Sequence, residues 1–261
     1  MKLHMDFVNQ AIGFLKEDSR ILGLAAGGSW ITNSMDEFSD IDLVIVVESK
    51  YEREILEERL QLAERLGNLL TGFTGEHVGE PRLVICLYGP PLLHVDLKFV
   101  ALSDIGHRVE NPVVLWEREE LLTKALGQSA AVYPQPDLQW IEDRFWVWIH
   151  YAAVKIGRGE LFETIEMLSF LRQTVLGPLA LVKNGHLPRG VRYIERDAQE
   201  EMPLLLKTIP AHDEKSCVLA LEEAIALYRN LRAILGSSGL STRKAAEELA
   251  VGYLAEIDRK I

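Results

Sequence analysis

The stretch Gly27-Gly28-Ser29-Trp30-Ile31-Thr32-Asn33-Ser34-Met35-Asp36-Glu37-Phe38-Ser39-Asp40-Ile41-Asp42-Leu43-Val44-Ile45-Val46-Val47 decides how this chain reads. From Ile41 onward it is dominated by β-branched and apolar residues, the composition of a buried strand. It opens on a Gly-Gly-Ser turn, where missing Cβ atoms let backbone N–H groups come close to a phosphate. Asp40 and Asp42 stand one residue apart at the start of the strand. Side chains alternate faces along a strand, so both carboxylates point the same way with Cα atoms about 7 Å apart. Two like charges so placed are costly unless something neutralises them. A divalent cation does so, and the combination suggests chemistry on a nucleoside triphosphate with magnesium. The plain alternative is a simple turn followed by acids at a solvated strand edge.

Gly28-Ser29, ten further residues and then Asp40-Ile41-Asp42 resemble the signature of the nucleotidyltransferase superfamily. Within it, the length and the helical second half are most similar to the aminoglycoside 6-adenylyltransferases and lincosamide nucleotidyltransferases. The resemblance implies an α/β (α+β) fold, a mixed sheet with flanking helices followed by a C-terminal helical bundle. It also implies transfer of a nucleoside monophosphate, AMP first, from ATP or another NTP to a small-molecule hydroxyl, with release of pyrophosphate.

A third acid lies further along. The runs Arg82 to Tyr88 and Leu92 to Val100 flank Gly89-Pro90-Pro91 and read as two strands around a turn. In the second strand Leu93, Val95, Leu97 and Phe99 share one face, and His94, Asp96 and Lys98 share the other. An Asp in the centre of so apolar a strand needs a partner. The resemblance implies that Asp96 completes a metal triad with Asp40 and Asp42 and accepts the proton of the attacking hydroxyl. The residues alone also permit an amphipathic strand in which Asp96 pairs with Lys98 or a neighbour. His94 reads as a polar-face neighbour, because hard magnesium prefers oxygen ligands.

By the same resemblance, two Mg2+ ions are held by Asp40, Asp42 and Asp96. The Gly28 turn and the Ser29 hydroxyl then bind phosphate oxygens. In Lys155-Ile156-Gly157-Arg158-Gly159-Glu160-Leu161-Phe162, Lys155 is the first candidate to reach the triphosphate and Arg158 the second. Both cations equally fit a helix C-terminus, where positive charge complements the dipole. Trp30 stands where the 6-adenylyltransferase pattern often has a basic residue, which leaves the choice of nucleotide open. Arg189 to Arg196 form a second basic cluster. Glu142, Asp143, Glu163 and Glu166 fit either an exposed helix face or contacts to a cationic substrate.

The 261 residues fit one large or two small domains, and an apolar share of 48% supplies a core. A net charge of −11 argues against a primary nucleic-acid partner and is compatible with a cationic small-molecule acceptor. No apolar run of about 18 residues stands out, so no membrane span is expected. Met1 to Asp6 lack a signal-peptide profile, and a cytoplasmic location is expected. Cys86 and Cys217 read as small core residues. A homodimer through exposed helices is compatible with the sequence. Two other readings stay open: a protein- or RNA-directed adenylyltransferase, and a non-catalytic nucleotide-binding module.

The expected organisation is a catalytic domain over 1–133 and a helical bundle over 137–261. Tyr133-Pro134-Gln135-Pro136-Asp137 separates them, with Asp137 placed to cap the next helix. In the first part, helices are predicted over Phe7–Lys16 and Tyr51–Leu70 and a strand over Ile21–Ala26. Asn111–Leu126 is predicted as a loop and short helix. In the second part, helices are predicted over Asp137–Ile156, Glu160–Lys183 with a possible break at Gly177-Pro178, Asp213–Leu235 and Ser241–Ile257. Gly236-Ser237-Ser238-Gly239 separates the last two.

Overall fold

The structure is a computed structural model that describes residues 1–236 and 239–261. The linker reading at Ser237 and Ser238 therefore lies outside the described residues. The chain divides into two compact units, Met1–Tyr133 and Pro134–Ile261.

The first unit runs α1 (Lys2–Leu15), β1 (Ile21–Ala26), β2 (Ile41–Val47), α2 (Glu52–Arg65), β3 (Leu69–Gly75), β4 (Glu80–Tyr88), β5 (Leu93–Ala101), β6 (Val113–Glu117) and α3 (Leu121–Leu126). Among the described residues the strands form one mixed sheet in the order β3-β4-β5-β2-β1-β6. β2 and β5 pair in parallel, and the other neighbours are antiparallel. A parallel pair needs a crossover, which α2, β3 and β4 supply here. Ile41, Leu43 and Ile45 of β2 and Val95, Leu97 and Phe99 of β5 are at most 1% exposed. They share a core with Phe7, Ala11 and Leu15 of α1 and Ile55 and Leu62 of α2. A smaller cluster of Ala25, Val46, Val100, Ile105 and Leu122 adds a second core. The α+β class read from the sequence is the one observed.

Two elements differ from the sequence reading. The helix predicted to Leu70 stops at Arg65, and Leu69–Gly75 is a strand at the sheet edge. Leu66, Leu69 and Leu70 happen to continue the apolar spacing of α2, while an edge strand with Leu70 and Phe73 half exposed has no buried alternation to announce it. Val113–Glu117, predicted as loop, is the opposite edge strand. Its positions are all intermediate or exposed, so it too lacks a two-residue apolar period.

The second unit contains α4 (Leu138–Gly157), α5 (Leu161–Leu171), a π-helical turn (Arg172–Leu176), α6 (Gly177–Lys183), α7 (Ile194–Asp197), α8 (Met202–Lys207), α9 (Glu214–Leu235) and α10 (Lys244–Asp258). The Asp137 carboxylate accepts the Trp140 N–H at 3.0 Å, and Asp213 accepts the Ser216 N–H at 2.9 Å, so both long helices start on side-chain caps. The predicted break at Gly177-Pro178 does not occur. Instead the Gly177 N–H reaches back to the Arg172 carbonyl, and the wider π turn accommodates a proline that lacks its own N–H. Leu161–Lys183 is consequently one helical stretch, long and apolar enough by length and composition alone to cross a membrane. Half of it is buried within the structure, and Leu168, Leu171, Val175 and Leu176 lie in the core.

The bundle is fastened by a buried acid. Glu142 on α4 accepts hydrogen bonds from Tyr228 Oη at 2.6 Å, Arg232 at 3.0 Å, the Arg243 N–H at 2.8 Å and Trp146 Nε1 at 3.2 Å. Burial pushes its carboxyl up, and the hydrogen bonds from Tyr228, Arg243, Arg232 and Trp146 outweigh that and hold it below the usual range. Tyr228 also stacks on Phe145 with ring centroids 3.9 Å apart.

Candidate active site

The sheet brings the Gly-Gly turn against the acids. Where β1 ends, the Gly27 N–H donates to the Asp42 carbonyl at 2.9 Å. Gly28 follows with φ +57°, and a Cβ there would lie 1.9 Å from Asp42 Oδ2. Only glycine suits both the left-handed backbone and that approach. Gly28–Trp30 then form a short 3₁₀ turn. The loop back to β2 is tied internally, with the Ser34 N–H on the Ser29 carbonyl at 3.0 Å and the Phe38 N–H on the Asp36 carboxylate at 2.9 Å. His4 of α1, buried, holds the Ser39 carbonyl through Nε2 at 2.8 Å, one residue before Asp40.

Asp42 and Asp96 are register partners across the parallel β2–β5 pair. Partners in register point to the same face, so the two carboxylates stand side by side on neighbouring strands. This is the face opposite Leu43, Val95 and Leu97. Asp96 meets His94 Nε2 at 3.1 Å, while Lys98 pairs with Glu80 at 2.8 Å. Of the partners left open for Asp96, the neighbouring His94 is therefore the one observed. Burial pushes the Asp96 carboxyl above its ordinary range; the His94 interaction opposes this and the charge of Asp40 reinforces it.

Oxygen donors of this kind suit a hard divalent cation. A cation here would also relieve the desolvation of Asp96 and its repulsion by Asp40, so the acids suit one by their chemistry. Among the described residues, no three His, Cys, Asp or Glu side chains are gathered closely enough to hold a metal ion. The acids present a paired edge rather than a closed cage.

Within the second unit, Lys155 in the last turn of α4 pairs with Glu160 at 2.5 Å and Glu163 at 2.8 Å. Those two carboxylates hold its ammonium above the usual lysine range. Arg158 follows the helix and pairs with Glu160 at 2.6 Å. Asp143 pairs with Arg243 at 2.7 Å. Glu142, expected on an exposed or substrate-facing surface, is instead fully buried in the network described above, because it spaces like a surface acid but meets Tyr228 and Arg232 from α9.

Two residues escaped the sequence reading. Glu110, in the segment between β5 and β6, accepts the Gly28 N–H on Oε1 at 3.1 Å. His4 anchors the loop that delivers Asp40. Neither has a local signature: Glu110 meets Gly28 across 82 residues of chain and His4 meets Ser39 across 35.

Residues 8–78 match the family model of the nucleotidyltransferase domain. The match contains Gly28, Ser29, Asp40 and Asp42 and ends before Asp96. Among solved structures, the chain is similar to an aminoglycoside 6-adenyltransferase from Bacillus subtilis at 17% identity, covering 97% of each chain with a TM-score of 0.43. It is similar to a nucleotidyltransferase-like protein from Exiguobacterium sibiricum at 15% identity, covering 98% of this chain and 78% of that one with a TM-score of 0.39. It is also similar to the spectinomycin adenyltransferase AAD(9) from Enterococcus faecialis at 12% identity, covering 97% and 98% with a TM-score of 0.29. No curated protein sequence matches the chain. The domain match is the firmest of these likenesses: the part of the chain that is similar to a nucleotidyltransferase domain is the part that carries the Gly-Ser turn and the first two acids.

Proposed function

We propose that the enzyme transfers a nucleoside monophosphate, AMP from ATP first, to a hydroxyl of a small aminoglycoside- or lincosamide-like molecule and releases pyrophosphate. The observation that carries this reading is the in-register pair Asp42 and Asp96 beside a Gly28 turn that tolerates no Cβ. Asp40, Asp42 and Asp96 are the residues that would hold magnesium, two ions by the family pattern. When bound, such ions neutralise phosphate charge and acidify the acceptor hydroxyl. The Gly28 turn offers backbone N–H groups, and Ser29 a hydroxyl, to phosphate oxygens. Asp96 takes the acceptor's proton as its oxygen bonds to the α-phosphorus and the bond to pyrophosphate breaks. Lys155 and Arg158 are the basic candidates for the triphosphate, and each would exchange a carboxylate partner for a phosphate.

The net charge of −11 supports a cationic acceptor over nucleic acid. The catalytic unit is proposed as residues 1–133 and the helical unit as 137–261. A cytoplasmic location is proposed with them. Mass spectrometry of aminoglycosides and lincosamides incubated with the enzyme, ATP and magnesium tests the reading. It predicts a gain of one AMP on a member of one class. Unmodified acceptors, with a protein or RNA labelled instead, would overturn the small-molecule assignment.

A further inference from the structure

The Gly28 amide that the proposed function gives to a phosphate already holds an anion. Glu110 Oε1 accepts the Gly28 N–H at 3.1 Å. The same oxygen would lie 3.4 Å from a Cβ on Gly27, with the Asp42 Cβ 3.5 Å from that point. A carboxylate oxygen and a phosphate oxygen seek the same backbone donor with the same geometry and charge. They cannot both occupy it, because one N–H makes one good hydrogen bond.

Resting on that functional reading, we infer that Glu110 is a built-in competitor of the triphosphate, seated on the Gly28 amide until a phosphate displaces it. The contact links two separate segments: Gly28 lies between β1 and β2, and Glu110 between β5 and β6. Displacing Glu110 therefore requires its side chain, or the segment 102–112 that bears it, to leave the turn. Residues 106–109 share that segment, and Arg108 fastens it to the Leu126 carbonyl at 2.9 Å and to the Ser129 hydroxyl at 2.8 Å. Glu110 acts on nucleotide affinity and takes no part in the bond changes.

The test is equilibrium binding of Mg-ATP and of magnesium with inorganic tripolyphosphate to wild type, Glu110→Gln and Glu110→Ala. The Gly28 amide is followed by NMR in ¹⁵N-labelled protein. Glu110→Ala is expected to bind both probes about five- to tenfold more tightly, the equivalent of one competing hydrogen bond removed. Glu110→Gln, which keeps the shape and loses the charge, should fall between. The Gly28 resonance should move on Glu110→Ala and on saturation of wild type with either probe. Should Glu110→Ala fail to fold, Glu110→Gln carries the comparison. Equal or weaker binding in the folded variants, with wild type binding normally, overturns the competitor and leaves the nucleotidyl-transfer reading standing. Binding by neither wild type nor variants removes both.

Discussion

Asp42 on β2 and Asp96 on β5 are register partners in parallel strands, although 53 residues separate them in the chain. The two carboxylates do different work in the proposed reaction, so their amides should fail differently. Asp42→Asn removes a charge beside the Gly28 turn and is expected to lower turnover about 10³-fold or more. Asp96→Asn removes the proton acceptor and should cost about 10²- to 10⁴-fold in kcat while nucleotide binding persists. Pyrophosphate release and nucleotide titration on the same preparations separate the two effects.

Gly28→Ala probes the turn. The added methyl would meet Asp42 Oδ2 at 1.9 Å, and the backbone sits at φ +57°. Left-handed strain costs about 1 kcal/mol, which the first unit can absorb. The displaced Asp42 carboxylate is the larger consequence, since a misplacement near 1 Å costs about 10²-fold in rate. Activity should therefore collapse while the unfolding midpoint falls only slightly. Unchanged turnover would detach the turn from the chemistry.

The fold class was legible because the central strands carry strong patterns. Ile41–Val47 is apolar throughout save for its acid, and β5 alternates cleanly between Leu93 and Phe99. The edge strands β3 and β6 were not legible, since an edge buries little and leaves no period in the sequence. Asp40 and Asp42 stood out by their spacing at a strand start and Asp96 by the family resemblance, and the register of Asp42 with Asp96 needed the sheet order. Glu110 and His4 were invisible because each meets a segment distant in the chain through a tertiary hydrogen bond. Glu142 misled because helical spacing shows which face a residue shares, and α9 with its Tyr228 and Arg232 made that face interior.

Glu80 gives the first unit an acid-sensitive contact. Its hydrogen bond with Arg82, helped by Lys98, holds the carboxyl at about 2 against an ordinary value of 4.5. A carboxyl depressed by folding stabilises the native state above its unfolded pKa and loses that contribution as pH falls through the folded one. The difference in stability between wild type and Glu80→Gln should thus be full above about pH 5 and vanish towards pH 2. Urea unfolding across that range measures it, and a difference independent of pH would assign the effect to packing.

Glu142→Ala should destabilise the helical unit. It strips the partner from Arg232 and Tyr228 in a fully buried setting, a change that costs about 3–5 kcal/mol. Glu142→Gln keeps much of the hydrogen bonding and should cost less. Helical signal followed in denaturant reports both, and a Glu142→Ala protein as stable as wild type would show that the network contributes nothing net.

The most direct measurement is pyrophosphate release from each of the four NTPs with magnesium, in the presence of aminoglycosides or lincosamides, comparing wild type with Asp42→Asn. Release that depends on one acceptor class and disappears in Asp42→Asn is the predicted result. Release that survives Asp42→Asn, or its absence with every NTP together with no magnesium-dependent nucleotide binding, would contradict the account.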